Sequence, residues 1–312
     1  MTSGSKPRLK TLQRASKKQL PGLHLTERDL RIIQAVYEYR ALTTSQIETL
    51  FFPGGTPGQR NQCQRRLKKL FHNGYLWRGE QPIKPTEEAR KPLVYRIDKG
   101  ALEILPGLLE VEPEDIDWHP RERTVSDRGL NHLLKTNDVR VALTAAADQH
   151  DMLVENWKDE RILKREHAHE KVQISGPQGG TYQATIIPDG YFQLAIPDGD
   201  NYKRAHQFLE VDLATEVVRA TTQARDFARK VKGYIAYYSS GRYKKRYQTK
   251  SMRVLTVTTS ERRLQSLKSA TEEIGGKKIF WFTTFDQITP QTALTEPIWQ
   301  VASLDEPQPL VW

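Results

Sequence analysis

The sequence has little of what a disulfide-bonded, zinc-binding or membrane-spanning protein needs. Cys63 is the single cysteine among 312 residues, which excludes a disulfide framework and a zinc site built from several cysteines. No apolar run approaches the ~20 residues that a membrane-spanning helix requires. The first residues also lack the apolar region of a signal peptide. We therefore expect a soluble, cytoplasmic protein that has no membrane partner.

Negative charge is scarce in the first third of the chain. The net charge is +10, and residues 1–107 hold 20 lysines and arginines against 9 aspartates and glutamates. The remainder holds 28 basic residues against 29 acidic ones. Such an asymmetry is typical of a polyanion-binding module joined to a near-neutral domain, and the chain is long enough for two domains. Nucleic acid is the polyanion that this composition favours.

The first folded block is predicted over residues 23–108. Three helical stretches, two of them beginning at Thr26 and Thr56, precede two strand-like runs, and Asp98 opens a further helix. This order resembles bacterial winged helix-turn-helix DNA-binding domains. Residues 1–22 form either a solubilising tail or a basic arm that clasps DNA. Residues 109–126 are interpreted as an acidic linker.

The third helix of this block has two distinct faces. A helical wheel at about 100° per residue places Cys63, Leu67, Leu70 and Phe71 on the core face. The opposite face carries amide and guanidinium groups, which commonly read base edges and phosphates in the major groove. The predicted DNA-binding residues of this helix are Asn61, Gln62, Arg65, Arg66 and Lys69. The alternative is a basic helix face that is merely solvated.

The second block is predicted over residues 127–300, with a C-terminal tail over 301–312. Its pattern of helices and strands has the order α-β-β-β-α-β-α-β, which predicts a mixed sheet covered by helices. The expected fold class of the chain is therefore mixed α/β. One strand is predicted over Tyr182 to Leu194 and the next over His206 to Leu213.

Acidic residues follow strand-like sequence at two places in this block. Asp189 comes after Thr185-Ile186-Ile187-Pro188, and Glu210 with Asp212 comes after Gln207-Phe208-Leu209. Alternation along a strand puts Glu210 and Asp212 on one face, where a neighbouring strand carrying Asp189 could complete an oxygen-rich site. Carboxylate oxygens are the ligands of Mg²⁺, and Mg²⁺ beside DNA favours phosphodiester hydrolysis. Glu160 is a further candidate ligand, or simply an exposed acid.

The second block resembles the core of the PD-(D/E)XK nuclease superfamily, with Pro188-Asp189 on its second strand and Glu210-Val211-Asp212 on its third. With His132-Leu133-Leu134 and the Lys230 to Tyr238 stretch, the whole chain resembles the replication-relaxation family of plasmid and mobile-element proteins. The resemblance implies that Asp189 and Glu210 hold Mg²⁺ or Mn²⁺. Asp212 stands where the superfamily has a lysine, and it could act instead as a metal ligand or general base. The following helix could supply the lysine, with Lys230 as first choice and Lys232 as second.

A basic and aromatic segment follows that helix. Lys244, Lys245 and Arg246 lie between Tyr243 and Tyr247 in a predicted loop. Such a loop suits a phosphate backbone, although an uninvolved loop tip has the same composition.

Three functions are consistent with these features. The leading hypothesis is a Mg²⁺-dependent endonuclease or nickase, directed by a winged helix to double-stranded plasmid or element DNA and using no nucleotide cofactor. The second is a DNA-binding regulator of transcription or replication that kept the nuclease scaffold without its activity. Such a regulator could form a homodimer. The third is a tyrosine relaxase that uses Tyr234, Tyr237 or Tyr238, although the three metal-binding histidines usual for that chemistry are absent from the sequence.

Overall fold

The computed structural model describes residues 10–14, 23–81, 91–119, 127–167, 171–176, 179–214 and 227–311. The chain divides into two compact units, Met1–Asn137 (unit 1) and Asp138–Trp312 (unit 2). Within the described ranges, no helix combines the length and the apolar character needed to cross a bilayer. Together the helices and the mixed central sheet confirm the predicted mixed α/β class.

Unit 1 contains helices and a small antiparallel sheet. The elements are β1 (Lys10–Thr11), α1 (Glu27–Glu38), β2 (Leu42–Thr43), α2 (Thr44–Phe51), α3 (Pro57–His72), β3 (Leu76–Glu80), β4 (Val94–Ile97), α4 (Leu105–Leu109) and α5 (Asp127–Gln149), which continues into unit 2. The strand order in the sheet is β1-β3-β4-β2. A 3₁₀ turn at Lys99–Glu103 follows β4, and a second at Pro113–Asp115 follows α4.

Local capping explains where the helices of unit 1 begin. Thr26 and Asp29 form a reciprocal capping box at α1, so aspartate replaces the usual glutamate or glutamine of this motif. At α3, the Thr56 side chain accepts a hydrogen bond from the Gln59 N–H, and Pro57 occupies the first turn. Both predicted helix starts are therefore confirmed. The predicted core face of α3 is confirmed as well, since Cys63, Leu67, Leu70 and Phe71 are buried.

Two segments predicted as tail and linker pack against unit 1 where they are described. In the predicted tail, β1 pairs with β3, and Arg14 Nε donates to the Phe71 carbonyl over 2.8 Å. In the predicted linker, the Asp117 N–H donates to Tyr37 Oη at 3.1 Å, and Arg40 donates to the Asp117 carbonyl at 3.1 Å. These contacts hold in place residues that composition alone predicts to be solvated.

Unit 2 contains a six-stranded mixed sheet. The elements after α5 are β5 (Leu153–Asp159), α6 (Glu160–His167), β6 (Lys171–Ser175), β7 (Thr181–Thr185), β8 (Gly190–Asp198), β9 (Asn201–Asp212), α7 (Phe227–Ser240), α8 (Arg242–Tyr247), β10 (Arg253–Thr258), α9 (Glu261–Glu273), β11 (Phe280–Thr284) and β12 (Gln300–Val301). The strand order in the sheet is β12-β11-β10-β9-β8-β5. Strands β9, β10 and β11 are parallel, whereas β8 and β5 at one side and β12 at the other are antiparallel to their neighbours.

The central sheet has a hydrophobic core on each face. On one face, Phe208 packs with Val231 and Tyr234 of α7 and with Leu264 of α9. On the other face, Leu209 and Val211 pack with residues of α5 that include Val139 and Leu143. Because side chains alternate along β9, Glu210 and Asp212 lie on the Phe208 face, beneath α7 and α9.

The strand predicted over Tyr182 to Leu194 is in fact two strands. Strand β7 pairs with β6 in a separate two-stranded sheet, and β8 begins only at Gly190. Pro188 lacks an N–H for a sheet ladder, and the break leaves Asp189 in a turn rather than within a strand. Helix α6 and strand β6 were not predicted.

The segment interpreted as a C-terminal tail also belongs to the core of unit 2. Strand β12 pairs with β11, and Trp299 pairs with Gln308. Leu310 and Val311 are buried in the core on the α5 face of the sheet. Burial of these apolar side chains stabilises a segment that has almost no regular secondary structure.

Candidate active site and nucleic-acid interface

Sheet register brings Asp189 beside Glu210. Gly190 at the start of β8 pairs with Leu209 of β9, so Asp189 lies across from Glu210. Two hydrogen bonds hold it there: the Asp189 N–H donates to the Leu209 carbonyl over 2.9 Å, and the Val211 N–H donates to Asp189 Oδ2 over 2.7 Å. The two residues of the predicted acidic pair therefore meet at one end of adjacent antiparallel strands.

Helix α7 supplies two donors to the carboxylate of Glu210, a residue that is only 4% exposed. Lys230 Nζ lies 3.1 Å from Oε2, and Tyr234 Oη donates to Oε1 at 2.5 Å. Lys230 and Tyr234 are four residues apart, so they project from the same side of α7 onto the same carboxylate. Strand β9 has no lysine at position 212, but Lys230 of the following helix lies beside Glu210.

The surroundings of Glu210 change its acidity. Burial raises the pKa of Glu210, and the negative charge of Asp189 adds to that effect, while Lys230 and Tyr234 lower it. The balance raises the pKa from 4.5 to about 7. Burial and the adjacent carboxylate also raise the pKa of Tyr234 well above its ordinary value, so its hydroxyl remains a donor near neutral pH.

Asp212 shares a face with Glu210 but has partners of its own. Arg263 of α9 binds it through two contacts of 2.9 Å, from Nε to Oδ2 and from Nη2 to Oδ1. Thr258 Oγ1 donates to Oδ2 over 2.7 Å. These bonds compensate the buried charge without a metal ion. The geometry therefore favours a structural role for Asp212 over the metal-ligand or general-base role expected from its sequence position.

Glu160, the remaining predicted ligand, is the first residue of α6. Its side chain is 47% exposed and pairs with Lys164 over 2.6 Å, as is usual for a helical surface acid. Across the described ranges, no three His, Cys, Asp or Glu side chains are grouped so that they could hold a metal ion. The prediction for Glu160 consequently gains no support from its position.

Two carboxylates nevertheless suit a Mg²⁺ ion that is shared with DNA. Mg²⁺ usually keeps several waters and takes one or two protein carboxylates plus phosphate oxygens. Thr256 of β10, the register partner of Glu210, carries a buried hydroxyl that has no hydrogen-bond partner among the described residues. A hydrated cation beside Glu210 would give that hydroxyl a partner. The donor set of Asp189 and Glu210 therefore fits the metal that the sequence implies.

The candidate tyrosine nucleophiles differ in their access to solvent. Tyr234 and Tyr237 are 2% and 1% exposed, whereas Tyr238 is 41% exposed. A nucleophile that attacks DNA has to reach the phosphate, and burial also disfavours the phenolate form. This distribution argues against Tyr234 and Tyr237 as covalent nucleophiles.

In unit 1, the exposed face of α3 carries most of the predicted DNA-binding residues. Asn61, Gln62 and Arg65 are exposed, and Lys69 is half-buried. Arg66 instead points back to α1, where it contacts both carboxylate oxygens of Asp29 and donates to the His24 carbonyl over 3.1 Å. Arg66 is therefore engaged in a structural ion pair, which argues against a role in DNA binding. The other four side chains lie on the outer face of the helix.

Arg66 and its neighbour Arg65 are therefore expected to respond in opposite ways to replacement by methionine. Arg66→Met leaves the buried Asp29 carboxylate without its cationic partner, so that among the described residues only Thr26 still donates to it, and should lower the free energy of unfolding by about 3 kcal/mol. Arg65→Met should leave stability unchanged and make the salt dependence of duplex binding shallower by about one unit of log–log slope. Urea unfolding and fluorescence anisotropy with a duplex measure the two effects. Equal stabilities would show that the Arg66–Asp29 pair contributes little.

The predicted basic loop of unit 2 is a short helix, α8. Tyr243 and Tyr247 are buried beneath it, and Lys244 and Lys245 are exposed. Arg246 Nη2 lies 3.3 Å from Glu166 Oε2. Because the tyrosines anchor the helix, Lys244 and Lys245 present positive charge to solvent, as does Arg242, which also donates to the Lys171 carbonyl.

Three residues around the acidic pair were not predicted to be part of it. Tyr234 had been considered only as a nucleophile, although its spacing of four residues from Lys230 was a usable signal. Arg263 and Thr256 come from elements more than 40 residues beyond Glu210 in the sequence. No local sequence pattern could have placed those two residues near the acidic pair.

Comparison with known proteins identifies a family. Searches of curated proteins and of solved structures returned no match. A profile of the replication-relaxation family matches residues 33–252, which is more than half of the chain and includes Asp189, Glu210 and Lys230. The chain therefore belongs to the replication-relaxation family, whose description indicates a role in the replication or relaxation of plasmid or mobile-element DNA.

Proposed function

We propose that this protein is a metal-dependent DNA endonuclease or nickase that acts in plasmid or mobile-element replication or relaxation. The observation that carries the proposal is the placement of Lys230 Nζ 3.1 Å from the buried Glu210, with Asp189 alongside. A lysine beside two carboxylates provides the acidic and cationic groups that the resemblance to PD-(D/E)XK nucleases implies.

Each group of the site has a defined chemical part in this proposal. Asp189 and Glu210 would hold Mg²⁺ or Mn²⁺, which when bound supplies positive charge for the phosphate and lowers the pKa of a bound water. The Lys230 ammonium stabilises the negative charge that develops on the phosphate during attack. Tyr234 fixes one oxygen of Glu210 through its hydrogen bond, which leaves the carboxylate little rotational freedom.

Unit 1 supplies the DNA recognition in this proposal. Its three helices, followed by the β3–β4 hairpin, support a winged helix that reads double-stranded DNA. The exposed side chains of α3 would enter the major groove, where Asn61 and Gln62 contact base edges and Arg65 and Lys69 contact phosphates or guanine. Residues 82–90, between the two hairpin strands, lie outside the described residues.

One observation favours the second candidate, a DNA-binding regulator without hydrolytic activity. Both oxygens of Glu210 already have protein partners, and Asp212 is paired with Arg263. A scaffold whose buried carboxylates are compensated internally can remain folded without metal. Such a regulator would bind DNA in a salt-sensitive way that survives loss of Asp189 and Glu210.

Supercoiled plasmid incubated with the wild-type protein tests the proposal. In Mg²⁺ or Mn²⁺ we expect conversion to open circles, and EDTA should prevent it. Titration calorimetry should in parallel show Mn²⁺ binding that weakens as the pH falls below about 7. Absence of both nicking and Mn²⁺ binding would reject the nuclease in favour of the regulator. Protein left covalently attached to the cut strand would indicate tyrosine chemistry instead.

A further inference from the structure

A strongly basic segment of unit 2 also contains many tyrosines. Residues 227–250, which include α7 and α8, hold eight lysines and arginines, five tyrosines and no acidic residue. Lys230 and Arg246 pair with Glu210 and Glu166 from other elements. The exposed Lys244 and Lys245 are available to attract a polyanion, and interleaved aromatic rings are typical of surfaces that contact nucleic-acid bases. The burial of each ring decides which of the tyrosines could make such contacts.

Tyr238 is the exposed member of this group. Its side chain is 41% exposed, whereas the other four are at most 8% exposed and belong to the core. An exposed aromatic ring in the middle of a basic segment is a candidate contact for a ligand that combines an apolar face with negative charge.

One face of the Tyr238 ring is already partly covered. Tyr238 stacks on the buried Tyr243 with ring centroids 5.3 Å apart and an interplanar angle of 10°. The hydroxyl of Tyr243 donates to the Lys250 carbonyl over 3.0 Å, which fixes the lower ring. Tyr238 is therefore supported on one side by a ring that is itself held in place.

We infer that Tyr238 is a stacking platform for an unpaired base of single-stranded DNA. The outer face of the ring suits another flat aromatic group, and the exposed Lys244 and Lys245 on α8 suit the adjoining phosphates. The strand must be unpaired at that point, because the bases of a duplex are already stacked on both faces.

The position of Tyr238 on α7 relates this platform to the candidate active site. Lys230 and Tyr234 contact Glu210, and Tyr238 lies one further turn along the same helix, about 12 Å from Lys230 along the axis. A strand held at Tyr238 would pass close to the carboxylates. The inference depends on the proposed function for its partner, DNA, but not on hydrolysis.

Two single-stranded oligonucleotides of equal charge test the platform in EDTA. One consists of thymidines and the other of abasic nucleotides, so that only the bases differ. Wild-type protein should bind the thymidine strand more tightly, and Tyr238→Ala should lower that affinity about 5- to 100-fold while leaving abasic binding unchanged. Tyr238→Phe, which keeps the ring, should behave like wild type in fluorescence anisotropy.

Tyr202 is a matched control for this experiment. It is 42% exposed and also belongs to unit 2, but it lies on the β8–β9 hairpin. Tyr202→Ala should leave both affinities unchanged. The inference is overturned if wild type does not discriminate between the strands, if Tyr238→Ala weakens both equally, or if this substitution only alters self-association in sedimentation. Plasmid nicking without strand discrimination would reject the platform alone, and discrimination without nicking would reject hydrolysis alone.

Discussion

Replacement of Glu210 by glutamine is expected to lower plasmid nicking by at least about 10³-fold while stabilising the protein above neutral pH. Glutamine keeps the size of the side chain and can still accept the Tyr234 hydrogen bond. It removes the negative charge that would hold the metal ion. Asp189→Asn should lower nicking to a similar extent, since the asparagine oxygen can still accept the Val211 N–H that holds this turn.

The stability effect of Glu210→Gln follows from the raised pKa. Burial raises the folded-state pKa to about 7, against 4.5 in the unfolded chain. Below pH 4.5 the carboxyl is protonated in both states, and its contribution to stability is fully present. As the pH rises from 4.5 to about 7, the unfolded chain ionises while the buried carboxyl keeps its proton, so about 3 kcal/mol of stability is lost by the time the folded-state pKa is passed. Glutamine cannot ionise, so the variant should not show this loss.

Urea unfolding of wild type and Glu210→Gln between pH 5 and pH 8 measures this difference. The free energy of unfolding of wild type, relative to the variant, should fall across that range. Glu296→Gln, an exposed substitution of the same chemistry, should leave the pH dependence unchanged. Parallel pH profiles for wild type and Glu210→Gln would contradict a buried carboxyl with a raised pKa. Unchanged nicking by Glu210→Gln would contradict the proposed active site.

Replacement of Lys230 by methionine should lower nicking by about 10²- to 10³-fold, because the site loses a preorganised positive charge. Methionine retains most of the apolar stem, so the packing of α7 is largely preserved. Removal of the ammonium should also raise the pKa of Glu210 further, because Lys230 at present lowers it. Mn²⁺ binding should then require a higher pH than in the wild type.

Lys232 provides the matched control on the same helix. It lies two residues further on, and its Nζ contacts the Ser175 carbonyl at 3.4 Å rather than the carboxylates. Lys232→Met should therefore nick at nearly the wild-type rate, and Lys230→Arg should retain part of the activity through its charge. Equal loss in Lys230→Met and Lys232→Met would indicate a general effect of charge on DNA binding. Full activity of Lys230→Met would remove Lys230 from the site.

Local sequence patterns predicted many elements because they depend on neighbouring residues. The capping residues Thr26 and Thr56 determine where two helices begin, and the apolar spacing of α3 identified its buried face. The strand predicted over His206 to Leu213 corresponds to the second half of β9 and ends within one residue of it. Predictions were less accurate at 301–312, where burial of Leu310 and Val311 comes from contacts distant in sequence.

The candidate site was likewise predicted only in part from local sequence patterns. Spacing and strand alternation indicated that Asp189, Glu210 and Asp212 belong near one another, and the helix after β9 was an identifiable source of a lysine. Alternation could not show that Asp212 is compensated by Arg263, 51 residues further along the chain. It also could not show which of the basic residues on α3 has an acidic partner, as Arg66 does in Asp29.

The sequence by itself determined the family, the mixed α/β class and the uneven charge of this protein, because these depend on composition and on the order of motifs. Tertiary structure decided how each carboxylate is compensated: Glu210 by Lys230 and Tyr234, and Asp212 by Arg263. It also decided that Tyr238 is exposed and four neighbouring tyrosines are not. The physical reason is that burial and ion pairing depend on distances between side chains, which only the packing of strands and helices establishes.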